Sequence, residues 1–274
     1  MTTNLVCKED MELIIKDNDF VHLDIETDHA VSLSIKTVER AKGILLININ
    51  KVNGLLTLKT KVSEDSDLTV LYWNLSKDLQ TVEQTTINTN ASYKLAYGEL
   101  ETGSLHRKGD YYLKGMGSAI ELISAAIVDA KKQQDLTCHH QNKQTSSLIQ
   151  TYGVVLTSGD YQVKANGQID KGASASKSHQ VSRVLTFGDK QKATVVPLLM
   201  IDENDVEASH AMSIGQLDEN QLYYLESRGL RKNEALQLIA LGYLMPITKV
   251  IDDESLRSYL TKIINEKVQS TCLM

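Results

Sequence analysis

From Val21 onward the chain alternates apolar and polar residues in short runs: VHLDI, VSLSI, GILLININ, GLLTLKTKV, LTVLYWNL and SYKLAYGEL. Alternation at period two sends successive side chains to opposite faces. The β-branched and aromatic content suits a pleated, half-buried surface, so each run predicts a strand. No helix-period segment separates these runs, and Pro197 and Pro246 are the two prolines of the sequence. Tight hairpins advertise themselves as Asn-Gly or Asp-Gly pairs. Here Asn-Gly occurs once at Asn53 and once at Asn166, and the other breaks are Ser, Asp, Lys and Asn steps. That punctuation favours the coils of a parallel β-helix, in which one side chain of each alternating pair stacks in a narrow interior, over a β-sandwich, which stays as the alternative. The segment SAIELISAAIVD has alanines that also allow a helix. Its flanks place it with the strands.

At Asp218 the apolar period changes to 3.6. Asp218 and Gln221 stand at capping-box spacing, and Arg228-Gly229 supplies a stop. A second helix is predicted from Asn233 to Met245. A third begins at Asp252 or Asp253, with Leu256, Tyr259, Leu260, Ile263 and Ile264 on one face. The domain organisation that follows is a β-helix core over residues 1–215 and a small α-helical domain over 216–274, whose helices should cap the last coil.

Composition narrows the function classes. With 274 residues, 42% of them hydrophobic, the chain can bury a continuous core. The net charge of −6 and the absence of a basic cluster interleaved with aromatics speak against a nucleic-acid partner. No apolar run approaches the roughly 20 residues of a membrane span, and the start lacks a basic segment followed by an apolar one, so a cytoplasmic protein is expected. Cys7, Cys138 and Cys272 are too few and too scattered for a disulfide framework. The tail STCLM is one residue short of a prenylation pattern and is expected to be unstructured.

Neither a phosphate-binding Gly-x-x-x-x-Gly-Lys-Ser/Thr loop nor a Gly-x-Gly-x-x-Gly turn is present. Cys138, His139 and His140 form a compact trio, but in a strand only Cys138 and His140 share a face, so the three cannot chelate one ion together. Ser178-His179 and Ser209-His210 likewise point their side chains apart. Asp205 and Glu207 read as outward charges on their strand.

Three stretches carry a resemblance: DVEASHAMSIGQLDENQLYYLESRG from Asp205 to Gly229, CHHQNKQTSSLIQTYGVVLTSGDYQVKANGQI upstream, and EALQLIALGYL downstream. Together they resemble the SufB/SufD family of iron–sulfur cluster assembly proteins, and within it the SufD pattern. The resemblance implies a mainly β fold, a right-handed parallel β-helix with a small C-terminal α-helical domain. It also implies a non-enzymatic subunit that pairs with a SufB-like subunit and docks a SufC-like ATPase through its C-terminal helices. His210 matches the family histidine near which the nascent cluster forms, and is the candidate cluster and metal ligand. The cluster would be transient, formed at the interface with the SufB-like partner, with no cofactor expected on the isolated chain. Many family members carry a cysteine at the position of Ala208, so a thiolate ligand is missing there, and Ala211 stands where SufB has a glutamate. Leu222, Tyr223, Leu236, Ile239 and Leu244 exceed what short capping helices need and are the candidate partner-binding residues. A homodimer of the isolated chain is a further possibility. Against that resemblance the sequence is short, and it is expected to be without the family's N-terminal helical region. The competing function is a β-solenoid enzyme acting on a polymer or acyl substrate, which would require a cleft of paired carboxylates or a catalytic histidine on the solenoid face.

Overall fold

Successive strands fall alternately into two sheets, one of nine and one of eight strands. Every neighbouring pair is parallel. This parallel β-solenoid is seen in a computed structural model that describes residues 2–188 and 190–271. Thr2 pairs with Phe20, Lys42 with Asp67 and Ser146 with Lys177, so the coil lengthens from 18 to 25 to 31 residues along the chain. The interior changes with it. The early coils are filled by Leu23, Ile25, Leu33, Ile35, Ile47 and Leu58, the middle ones by Tyr72, Tyr97 and Tyr111, and the late ones by Ser147, Ser178 and Gln180.

The Asn and Asp steps of the sequence are coil corners. Asn18, Asp65, Asp78 and Asn90 hold φ between 53° and 62°, a left-handed conformation that these short polar side chains tolerate. Of the two Asn-Gly pairs only Asn53-Gly54 is a turn, with Gly54 at φ 136°. Asn166-Gly167 lies inside the strand Asp160–Ile169, where a Cβ at residue 167 would stand 2.2 Å from Ser178 Oγ. The segment SAIELISAAIVD forms the strand Ala119–Val128. Two strands, Thr2–Cys7 and Met11–Ile15, precede the first run recognisable in the sequence and add a coil whose Cys7 and Ile15 are fully buried. Their alternation is short and broken by Lys8-Glu9-Asp10, which hides it.

Three helices follow the last strand: α1 (Glu219–Ser227), α2 (Lys232–Leu244) and α3 (Glu254–Thr271), with a short 3-10 helix Met245–Val250 between the last two. Asp218 caps α1 by accepting from the Asn220 amide at 2.9 Å. The expectation that the helices cap the last coil needs correction. They lie along the outer face of the nine-stranded sheet, where Leu46, Leu71, Trp73, Ile123, Ile127 and Val154 make an apolar stripe that water would otherwise wet. Leu244, Ile247, Val250, Leu260, Ile264 and Val268 cover that stripe. Tyr259, expected on the apolar face of α3, points outward and is 53% exposed. A 2.8 Å ion pair from Lys94 to Asp252 and a second from Lys267 to Glu101 tie the helices to the solenoid. The tail residues Cys272 to Met274 lie outside the described residues, while Ser270 and Thr271 complete α3.

Candidate functional site

His210 sits on Val206–Gln216, the edge strand of the nine-stranded sheet. This strand pairs on one side with Ser176–Thr186, and its other edge has no neighbour among the described residues. An edge strand presents unpaired N–H and C=O groups, which makes it a template for another chain. Met212 and Ile214 on this strand and Leu198 and Met200 on the edge strand of the other sheet are all more than 40% exposed. Pro197, which has no amide hydrogen to give a ladder, lies on that second edge strand, Lys192–Ile201.

Register decides which way His210 faces. Gln180 pairs with His210 and Ser178 with Ala208, and in-register neighbours share a face. Gln180 and Ser178 are buried in the solenoid, 2% and 1% exposed, so His210 and Ala208 point to the inner side at the open end. Ser209 points to the outer face, where its hydroxyl meets His179 Nδ1 at 2.7 Å, and Glu207 pairs with Lys177 there at 2.9 Å. The two Ser-His neighbours are therefore separated by the sheet, as strand alternation requires.

Beneath the open end runs a file of buried polar groups. His140 has no exposure, and its Nδ1 and Nε2 meet Thr145 Oγ1 and Ser147 Oγ, each at 2.8 Å. Ser147 continues to Ser178 at 3.1 Å and Thr145 to Ser176 at 2.8 Å. Burial pushes the His140 imidazole down to about 4 and the Cys138 thiol up to about 12, so both are neutral. The Cys138 thiol is protonated and both His140 ring nitrogens are already hydrogen-bonded, so neither is a ready metal ligand. His139 faces outward, stacked on Tyr112 and 3.0 Å from Asp110. The trio thus divides as alternation demands.

Deeper in the solenoid lies a second polar group that sequence reasoning missed. Arg107 and Glu99 form a fully buried ion pair, Lys132 Nζ donates to the backbone oxygens of Glu99 and Glu101 at 2.9 and 2.6 Å, and the Tyr97 hydroxyl donates to Glu83. Desolvation raises the Glu83 carboxyl, against the pull of Tyr97 and Arg107. Sequence offered a signal in HRKGDYY, where Arg107 and Tyr111 take inward positions of a strand. The cue is weak because charged residues on a strand usually face water. Among the described residues no cluster of three His, Cys, Asp or Glu could hold a metal ion.

The helical residues expected to bind a partner divide sharply. Leu244 is fully buried in the helix–sheet core, and Ile239, 8% exposed, lines the cleft between α1, α2 and the sheet, so neither stands on the open helical surface. Leu222 and Leu236 are half-buried, and Tyr223 is 74% exposed. Tyr224 and Leu238, not singled out from sequence, are 55% and 51% exposed. Between α1, α2 and the outer sheet face opens a cleft of about 840 Å³ lined in part by Tyr152, Arg183, Leu225, Leu238, Tyr243 and Lys249. Among the described residues no helix is long and apolar enough to cross a membrane.

Residues 34–243 match the family model for the SUF system FeS cluster assembly, SufBD core domain. The chain is similar to the iron-sulfur cluster assembly protein SufD of Bacillus subtilis (strain 168), 32% identical over 176 residues that cover 64% of this chain and 40% of that protein. The iron-sulfur cluster assembly protein SufB of the same organism is 24% identical over 174 residues, 63% of this chain and 37% of that protein. An iron-sulfur cluster assembly SufBD family protein of Mycobacterium leprae (strain TN) is 26% identical over 188 residues, 68% of this chain and 22% of that protein. The matched stretch spans less than half the length of each of these relatives.

Proposed function

This chain belongs to the SufB/SufD family of the SUF iron–sulfur cluster assembly system, and from that membership we propose that it acts as a SufD-like scaffold subunit rather than as an enzyme. The observation that carries this reading is the open end of the solenoid, where an 11-residue edge strand, with one edge unpaired among the described residues, presents His210 on its inner side. A SufB-like subunit would add its own strand edge there, bury Met212, Ile214, Leu198 and Met200, and bring further ligands to a cluster that His210 helps to hold. Neutral imidazole donates a lone pair to iron, and with alanine at position 208 the remaining donors come from the partner. The higher identity to the Bacillus SufD than to its SufB supports the SufD-like role. An enzyme acting on a polymer would need its carboxylates open to solvent, whereas Glu83 and Glu99 are sealed within the coils.

Docking of a SufC-like ATPase is proposed on α1 and the adjoining cleft, through Tyr223, Tyr224 and Leu238, with half-buried Leu222 and Leu236 beside them. In α1 no residue is fully buried, and Tyr223 and Tyr224 stand open to a partner. A cytoplasmic location accords with this role.

Co-expression with SufB-like and SufC-like proteins tests the reading. A stable ternary complex is expected, with His210→Ala assembling normally but carrying less cluster per complex. Failure to capture the SufB-like protein, or full cluster yield from the variant, overturns the pairing or the ligand role respectively.

A further inference from the structure

Gln180 is 2% exposed, and its two amide atoms fare differently. Nε2 donates to the Leu198 backbone oxygen at 2.9 Å, spanning the two sheets, while Oε1 is buried without a hydrogen-bond partner. Exchanging the two atoms would set two acceptors against each other at Leu198, so the orientation is determined by its surroundings. A buried acceptor held in place without a donor calls for an explanation.

The donor at the open end beside it is His210. It is the in-register neighbour of Gln180 on the adjoining strand and shares its face, and such neighbours stand about 4.8 Å apart. On its own strand the neighbours of His210 on that face are Ala208 and Met212, neither of which offers a hydrogen-bond acceptor of any strength. The bond requires the His210 side chain to rotate so that one imidazole N–H meets Gln180 Oε1.

We propose that Gln180 is the positioning residue for His210: its Oε1 accepts one ring N–H, selects a single tautomer and leaves the other ring nitrogen with its lone pair aimed out of the open end. This rests on the reading of His210 as a cluster ligand and adds what orients it. Partners of this kind, one bond behind a ligating histidine, hold the ring and raise its basicity. Sequence hides the pair because 30 residues separate its members.

The test uses the purified full chain labelled with ¹⁵N-histidine, in which two-bond ¹⁵N–¹H correlations report the tautomer of each ring. Wild type is expected to show one His210 tautomer, and Gln180→Leu to show a mixture. A tautomer mixture in wild type, or an unchanged single tautomer in Gln180→Leu, overturns the proposal. Iron(II) titration of the complex with the SufB-like subunit separates this from the underlying reading. Gln180→Leu should weaken binding by roughly 10- to 100-fold. If His210→Ala binds iron as wild type does, the ligand role of His210 fails whatever the tautomer result.

Discussion

The guanidinium of Arg107 and the carboxylate of Glu99 meet inside the solenoid with neither side chain exposed to solvent. They belong to neighbouring strands of opposite sheets, so the pair crosses the interior. Arg107 also lies over the Tyr97 ring, 3.7 Å from its centroid, and Asn74 donates to the second Glu99 oxygen at 2.8 Å. Removing one partner leaves the other as an uncompensated buried charge. Arg107→Met is therefore expected to lower unfolding free energy by about 3–5 kcal/mol, and Arg107→Met with Glu99→Leu to recover part of that loss. Urea denaturation of the three proteins measures it, and equal stability of wild type and Arg107→Met would show that the pair contributes nothing.

Acid should act on the fold through His140. Its folded-state value is depressed to about 4 by burial, below the ordinary 6.5, so the unfolded chain binds the proton more readily. Stability contributed by the neutral ring is then fully present above pH 6.5 and is lost as pH falls toward 4, by on the order of 3 kcal/mol in all. Comparing the urea midpoints of wild type and His140→Gln between pH 7 and 4 isolates this from carboxylate effects. Parallel curves would exclude His140 as the source.

Helix packing makes a different prediction from partner docking. Leu244 is fully buried, and Leu244→Ala should destabilise by about 2–5 kcal/mol through lost burial and the cavity left behind. Truncation before Asp218 should expose the stripe containing Trp73 and Ile123 and produce aggregation rather than a clean solenoid. By contrast, Tyr223→Ala with Leu238→Glu should leave thermal stability within about 0.5 kcal/mol, as surface changes do, while weakening capture of the SufC-like ATPase. Calorimetry and pull-down on the same preparations distinguish the two, and unaltered capture would move the docking surface elsewhere.

At the open edge, Ile214→Lys places a charge on the inner side of the edge strand. Such charges block edge pairing in natural sheets. The variant is expected to remain folded, with unchanged circular dichroism, and to lose the SufB-like partner in size-exclusion chromatography. Retention of the partner would show that pairing does not use this edge.

The local alternation of this chain determined its strands, and the change of period at Asp218 determined where they end, because both depend on side chains a few residues apart. Coil corners were legible for the same reason: Asn and Asp tolerate the left-handed backbone that a sharp corner needs. The division of Cys138, His139 and His140 between inside and outside also follows from alternation alone. Where the helices rest was decided by tertiary structure, since the stripe they cover draws single residues such as Leu46, Trp73 and Val154 from strands far apart in sequence. That took Leu244 into the core and left Tyr224 and Leu238 exposed. The buried pairing of Arg107 with Glu99 and the column that sets Gln180 beside His210 were likewise beyond sequence. Each depends on the register between strands, which is set by the number of residues in a whole coil, and a coil that varies from 18 to 31 residues offers no fixed repeat to read.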